Sequence, residues 1–164
     1  MRSRGFTSRT RARKRAVDTI FEADQRGLGD NPQDLREVLE DRQHITAAQT
    51  PLPTYAIEAV EGVIAHLFQI DDLIAMHCTA RSYDRIPPVD RAVMRVAVWE
   101  MLWNDDVPPI TAIDEAVRIV KEISTDDSPA LVNAILDAIR GSAPDALAAD
   151  AALSAAFDTS SAAD

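Results

Sequence analysis

The sequence predicts an all-α protein. Apolar residues recur at spacings of three and four through most of the chain, and no stretch alternates like a half-buried strand. Turn formers gather between the periodic stretches, and only 5 of 164 residues are glycine. Seven helices follow. The first runs from about Arg9 to Arg26, with Val17, Ile20, Phe21 and Asp24 on one face and Gly27 and Gly29 to stop it. The second fits Pro32–Arg42, with Asn31 as N-cap and Pro32 in the first turn. Residues 44–53, with Pro51 and Pro53, make a connecting loop. The third opens at Thr54 and carries Ile57, Val60, Val63, Ile64 and Leu67. A bend is expected near Ile70–Asp71, with the fourth helix continuing through Leu73, Ile74 and Met76.

Ile86, Pro87 and Pro88 break the chain before the fifth helix, Val89–Trp103, which is apolar at 11 of 15 positions and should be the central buried rod. Pro108 and Pro109 end the next loop. Thr111 and Asp114 make a capping box for the sixth helix, whose stripe is Ile113, Ala116, Val117, Val120 and Ile123. Ser128 and Pro129 stand at the N-cap and first position of the seventh, which carries Leu131, Val132, Ile135, Leu136 and Ile139. From Gly141 on come 10 alanines and four aspartates in 24 residues, so 141–164 is expected to be a flexible or marginally helical tail. The organisation expected is a disordered basic arm at 1–8, one helical domain at 9–140, and that tail.

Charge divides the chain. Residues 1–15 hold Arg2, Arg4, Arg9, Arg11, Arg13, Lys14 and Arg15 with no acid, a charge of +7; the net charge of −10 then leaves −17 on the rest. Five cations crowd the start of the first helix, where the macrodipole disfavours them. That cost points to a partner, and arginine-rich segments suit phosphates and unstacked bases, displacing counterions and often ordering on RNA. The acidic body would repel a long duplex, so a short single strand fits the arm better. A solvated tail, or one packed on the acidic body, is the plain alternative. No second helix offers the basic face of a DNA-recognition helix.

Signs of catalysis are sparse. The chain has no GxxxxGK[ST], GxGxxG or GxSxG motif. His77 and Cys78 point about 100° apart on a helix. His66 and His77 lack a third ligand, so no metal and no cofactor are expected. One cysteine forms no internal disulfide, the basic N-terminus lacks a signal peptide's apolar stretch, and no run suits a membrane span, which together fit a cytoplasmic protein. Arg95 and Glu100 lie inside the apolar fifth helix and Glu115 in the first turn of the sixth. Charges so placed are paired as a rule, and Arg95 with Glu115 is the expected structural ion pair.

Several strings then stand out together: Ala12-Arg13-Lys14-Arg15-Ala16-Val17; Val89 to Glu100; Pro108, Asp114-Glu115-Ala116-Val117 and Lys121; and Ser124-Thr125-Asp126-Asp127-Ser128-Pro129-Ala130-Leu131-Val132-Asn133. Their order and spacing resemble the bacterial NusB family of transcription antitermination factors, its actinobacterial members above all, across residues 9–140. The resemblance implies a seven-helix fold of two small helical subdomains and no enzymatic activity. It implies binding of boxA, a short single-stranded element of ribosomal RNA leader transcripts. It also implies pairing with NusE, a small-subunit ribosomal protein, in a complex with RNA polymerase and other Nus factors. By this resemblance Arg9, Arg11 and Arg13, with Lys14 and Arg15 beside them, fall on the arginine-rich RNA-binding motif. Asp127, Ser128 and Leu131 fall on a second segment that approaches RNA, and Phe21 and Asp90 on the partner-binding face. The chain departs from the family at Leu131, usually phenylalanine, at Ala134, usually glycine, and at Arg81, tryptophan in many actinobacterial relatives. A stacking ring lost at Leu131 would cost on the order of 1–3 kcal/mol. The alternative is a protein-interaction module, or a homodimer, with no direct RNA role. A similar helical domain also occurs in a ribosomal RNA methyltransferase, but the chain shows no glycine-rich motif for the cofactor.

Overall fold

Thr7 opens the first helix, α1 (Ser8–Gln25), by accepting the Thr10 N–H at 3.1 Å, so helical structure begins inside the arginine-rich stretch. The computed structural model describes residues 7–45 and 50–161; Arg2 and Arg4 lie outside them, as does most of the expected arm. Gly27, at φ 71°, ends α1: the Leu28 N–H reaches back to the Ala23 carbonyl at 2.8 Å, the six-to-one bond of a glycine C-cap. Helix α2 (Pro32–Ile45) begins at Asn31, whose Oδ1 accepts from the N–H groups of Gln33 and Asp34, and runs one turn past the expected end.

Helices α3 (Thr54–Ala65) and α4 (Leu67–His77) are separate, and the break falls at His66, not at Ile70–Asp71. The His66 imidazole stacks flat on Trp103, with centroids 3.9 Å apart, and its backbone leaves helical geometry at φ −126°. Ile70 and Asp71 lie inside α4, and Ile70 is fully buried. A short 3-10 helix (Tyr83–Arg85) leads into α5 (Pro88–Trp103). Helix α6 (Pro109–Ile123) starts two residues before the expected capping box, and Thr111 caps nothing. Proline needs no N–H partner in a first turn and brings a helical φ with it, so Pro109 nucleates the start. Helix α7 (Ser128–Ser161) passes through Gly141 into the alanine-rich segment. A glycine stop needs positive φ, and among the described residues only Gly27 has it. The alanine-rich sequence beyond has high helix propensity.

Helix α5 is the central rod, as its composition predicted: it packs on α1, α3, α4, α6 and α7, and Ala92 to Met101 are all buried. Helices α1, α2 and α3 pack together as one group and α4 to α7 as another, but the apolar side chains of both merge into one core around α5. Close approach of α3 to α5 depends on Gly62, where a Cβ would overlap the Trp99 indole. None of the described helices is long and apolar enough to cross a membrane.

The buried ion pairs differ from expectation. Arg95 is fully buried but does not meet Glu115; its Nε and Nη2 donate to the two carboxylate oxygens of Asp71 at 2.8 Å each, and Asp24 and Asp30 stand within 4 Å. Glu115 pairs instead across the α1–α6 contact. Arg95 is taken up instead by Asp71 of α4 and Asp24 near the end of α1.

Candidate nucleic-acid interface

The start of α1 sorts its cations by helical face. Arg9 and Arg11 are exposed, Lys14 and Arg15 are half-exposed, and Arg13 is only 4% exposed. Thr10, Arg13, Val17 and Ile20 stand at spacings of three and four, so the apolar stripe of α1 continues backwards through Arg13 into the core. This signal was present in the sequence, hidden by the polarity of threonine and arginine.

Arg13 donates through Nε to both oxygens of Glu100, at 2.8 and 3.1 Å, and Glu100 is 1% exposed. The Arg13 Nη1 lies 3.7 Å from Glu115, and the Thr10 hydroxyl donates to the same Glu115 oxygen at 2.8 Å. Glu100 also accepts the Tyr55 hydroxyl at 2.6 Å. Burial pushes the Glu100 carboxyl above its ordinary range, while Arg13 and the Tyr55 hydroxyl pull it back; burial and the neighbouring carboxylate push Tyr55 well above its usual range. This network pins the first turns of α1 onto α3, α5 and α6. Of the expected RNA-binding arginines, Arg13 is therefore a core residue whose donors are engaged inside the protein.

Outside the network, the Arg9 guanidinium lies over the Tyr55 ring, 4.3 Å from its centroid. Lys14 pairs with Glu122 at 3.0 Å near the end of α6, and Arg15 donates to the Thr50 carbonyl at 3.2 Å. The Lys14–Glu122 pair ties the cationic face to the α6–α7 turn, where the second candidate segment begins.

Within that turn Asp127 is exposed and Ser128 is buried. Ser128 donates to Asp90 at 2.7 Å, and Ser124 donates to the other Asp90 oxygen at 2.6 Å. Asp90 is fully buried, so it offers no exposed carboxylate to a partner, contrary to expectation. Its place in the first turn of α5 aims it at the hydroxyls of the α6–α7 turn, and it clamps that turn to the rod. Phe21 is half-buried against the core and keeps an open edge. Leu131 is 8% exposed and looks onto a groove of about 500 Å³ between the end of α4 and α7. Met76, His77, Arg81, Asp127 and Ala134 also line it, which brings Arg81, Leu131 and Ala134 to one surface.

The described residues hold no cluster of three or more metal-ligating side chains. His77 Nδ1 lies 2.8 Å from the Leu73 carbonyl, and the Cys78 thiol donates to the Arg81 carbonyl at 3.1 Å. Residues that the sequence reading did not single out for the site are Thr10 and Tyr55, both polar anchors beneath the cationic turn.

The NusB family profile matches residues 10–140. The chain is 44% identical over 142 residues to the transcription antitermination protein NusB of Beutenbergia cavernae, covering 85% of this chain and 93% of that one. It is 46% identical over 132 residues to the protein of the same name from Bifidobacterium longum subsp. infantis, covering 80% and 68%. Among solved structures, T. maritima NusB superposes with a TM-score of 0.64 at 33% identity, over 84% of this chain and 93% of that one. A crystal structure of NusB and NusE in complex with double-stranded RNA matches with a TM-score of 0.62 at 27% identity, over 83% and 99%.

Proposed function

The chain belongs to the NusB family of non-enzymatic transcription antitermination factors, and from that membership we propose that it binds single-stranded boxA RNA of ribosomal leader transcripts and pairs with NusE in an antitermination complex on RNA polymerase. The observation that carries the RNA reading is the cationic turn at Arg9 and Arg11, exposed on a helix that is already formed and anchored. A preformed site loses less conformational entropy on binding than an arm that must fold. Arg9 and Arg11 engage phosphates or bases, with Lys14 and Arg15 adding charge beside them. Asp127 accepts hydrogen bonds from exocyclic base amines, which a carboxylate does and a lysine cannot. Leu131 and the groove beside it receive an unstacked base, while Ser128 and Asp90 hold the turn in place. The acidic body, −17 outside the first 15 residues, docks a basic ribosomal protein, with the open edge of Phe21 on that face.

Fluorescence anisotropy of a short boxA RNA, titrated with the protein alone and with NusE, tests this reading. Tighter binding by the pair is expected. Replacing Arg9 and Arg11 with alanine should abolish most of the affinity and reduce the salt slope by roughly 1.4, at ~0.7 for each single-strand phosphate contact. Equal RNA binding by the variant, or an RNA-indifferent dimer in sedimentation, overturns it.

A further inference from the structure

Arg9 is exposed, yet it is held. The ring beneath it belongs to Tyr55, the second residue of α3. That ring is fixed at its far end, where the hydroxyl donates to buried Glu100 at 2.6 Å and accepts from Asn104 Nδ2 at 3.2 Å. Its flank rests against Trp99, with centroids 6.2 Å apart. Arg13, locked to the same Glu100, stands 5.8 Å from the same ring centroid. A long exposed side chain ordinarily samples many rotamers. Here the Arg9 guanidinium carbon lies over a fixed aromatic ring, 4.3 Å from its centroid, on a residue that remains exposed.

We propose that Tyr55 is a positioning residue for RNA recognition, holding the Arg9 guanidinium flat so that an unstacked nucleobase stacks on its open face. The layers are then tyrosine ring, guanidinium and base, in contact with a network that reaches the core. This role rests on the RNA-binding reading above and adds to it a specific geometry. Arginine is required because its planar cation stacks on both faces, which the compact ammonium of lysine does not.

The test uses the full chain and a short single-stranded boxA RNA in anisotropy titrations across a salt series. Arg9→Lys keeps the charge on an exposed position, so its fold is secure. It should weaken binding roughly three- to tenfold while leaving the salt slope unchanged. Tyr55→Leu should weaken binding by a similar factor in the wild-type background and have no further effect in the Arg9→Ala background. The Arg9 side-chain methylene protons should show ring-current shifts in the free protein that Tyr55→Leu removes and Tyr55→Phe retains. Wild-type affinity in Arg9→Lys, or equal losses from Tyr55→Leu in both backgrounds, overturns the positioning role and leaves RNA binding intact. Absence of binding by the wild-type chain overturns the RNA reading and this role with it.

Discussion

Arg13→Ala separates a structural arginine from a ligand-binding one. The Arg13 side chain is 5% exposed and that of Glu100 1%, and the pair is bonded through Nε to both carboxylate oxygens. Truncation leaves Glu100 buried and charged, with the Tyr55 hydroxyl as its remaining partner at 2.6 Å, and leaves Glu115 with Thr10. Removing one member of a buried pair costs roughly 3–5 kcal/mol, much of it the penalty on the orphaned charge. For a domain of this size each kcal/mol lowers the melting temperature by about 2–4 °C, so a fall of roughly 6–20 °C is expected. Circular dichroism melts of the purified chain measure it. Arg9→Ala serves as the control and should shift the melt by only about 1–4 °C, the cost of one exposed cation–π contact. Adding Glu100→Gln to Arg13→Ala should restore part of the loss, because a neutral amide still accepts from Tyr55 and carries no buried charge. A variant that melts within about 2 °C of the wild type while losing RNA binding would refute the structural assignment.

Gly62→Ala should lower stability by about 1–3 kcal/mol in a denaturant titration, since the added methyl overlaps the Trp99 indole and α3 must move off α5. Glu100 should titrate above its ordinary value of 4.5 when followed by carbon-detected NMR. Its folded pKa is raised, so its favourable contribution is fully present below the unfolded value and is lost as pH rises through the folded one. Glu100→Gln should therefore flatten that segment of the stability–pH curve. Leu131→Phe fills part of the groove between α4 and α7 and should tighten boxA RNA by on the order of 1–3 kcal/mol if the ring stacks on a base. Unchanged affinity in an anisotropy titration would place the RNA elsewhere.

The all-α class, the order of the helices and the central place of α5 were legible in periodicity and breakers, because apolar spacing records which face must leave water. One start was legible for a local reason as well: Asn31 caps the N–H groups of residues close by in the chain. Other boundaries depend on distant partners or on glycine conformation. The α3–α4 break falls where the His66 ring stacks on Trp103, a partner 37 positions away that local periodicity does not reveal, and the glycine stop after α1 rests on the positive φ of Gly27.

The cationic turn was visible as a run of residue types, and by itself the sequence established that the charge lies at the start of a helix on an acidic body. Only the tertiary structure decided which cations face outward. A helix turns by about 100° per residue, so neighbouring arginines meet different surroundings: Arg11 lies on the exposed face, Arg13 meets Glu100 in the core, and Arg9 meets the Tyr55 ring. The same cause misdirected the pairing of Arg95, because charge and burial name the kind of partner a residue needs, while the packing of α4 and α1 against α5 selects Asp71 and Asp24.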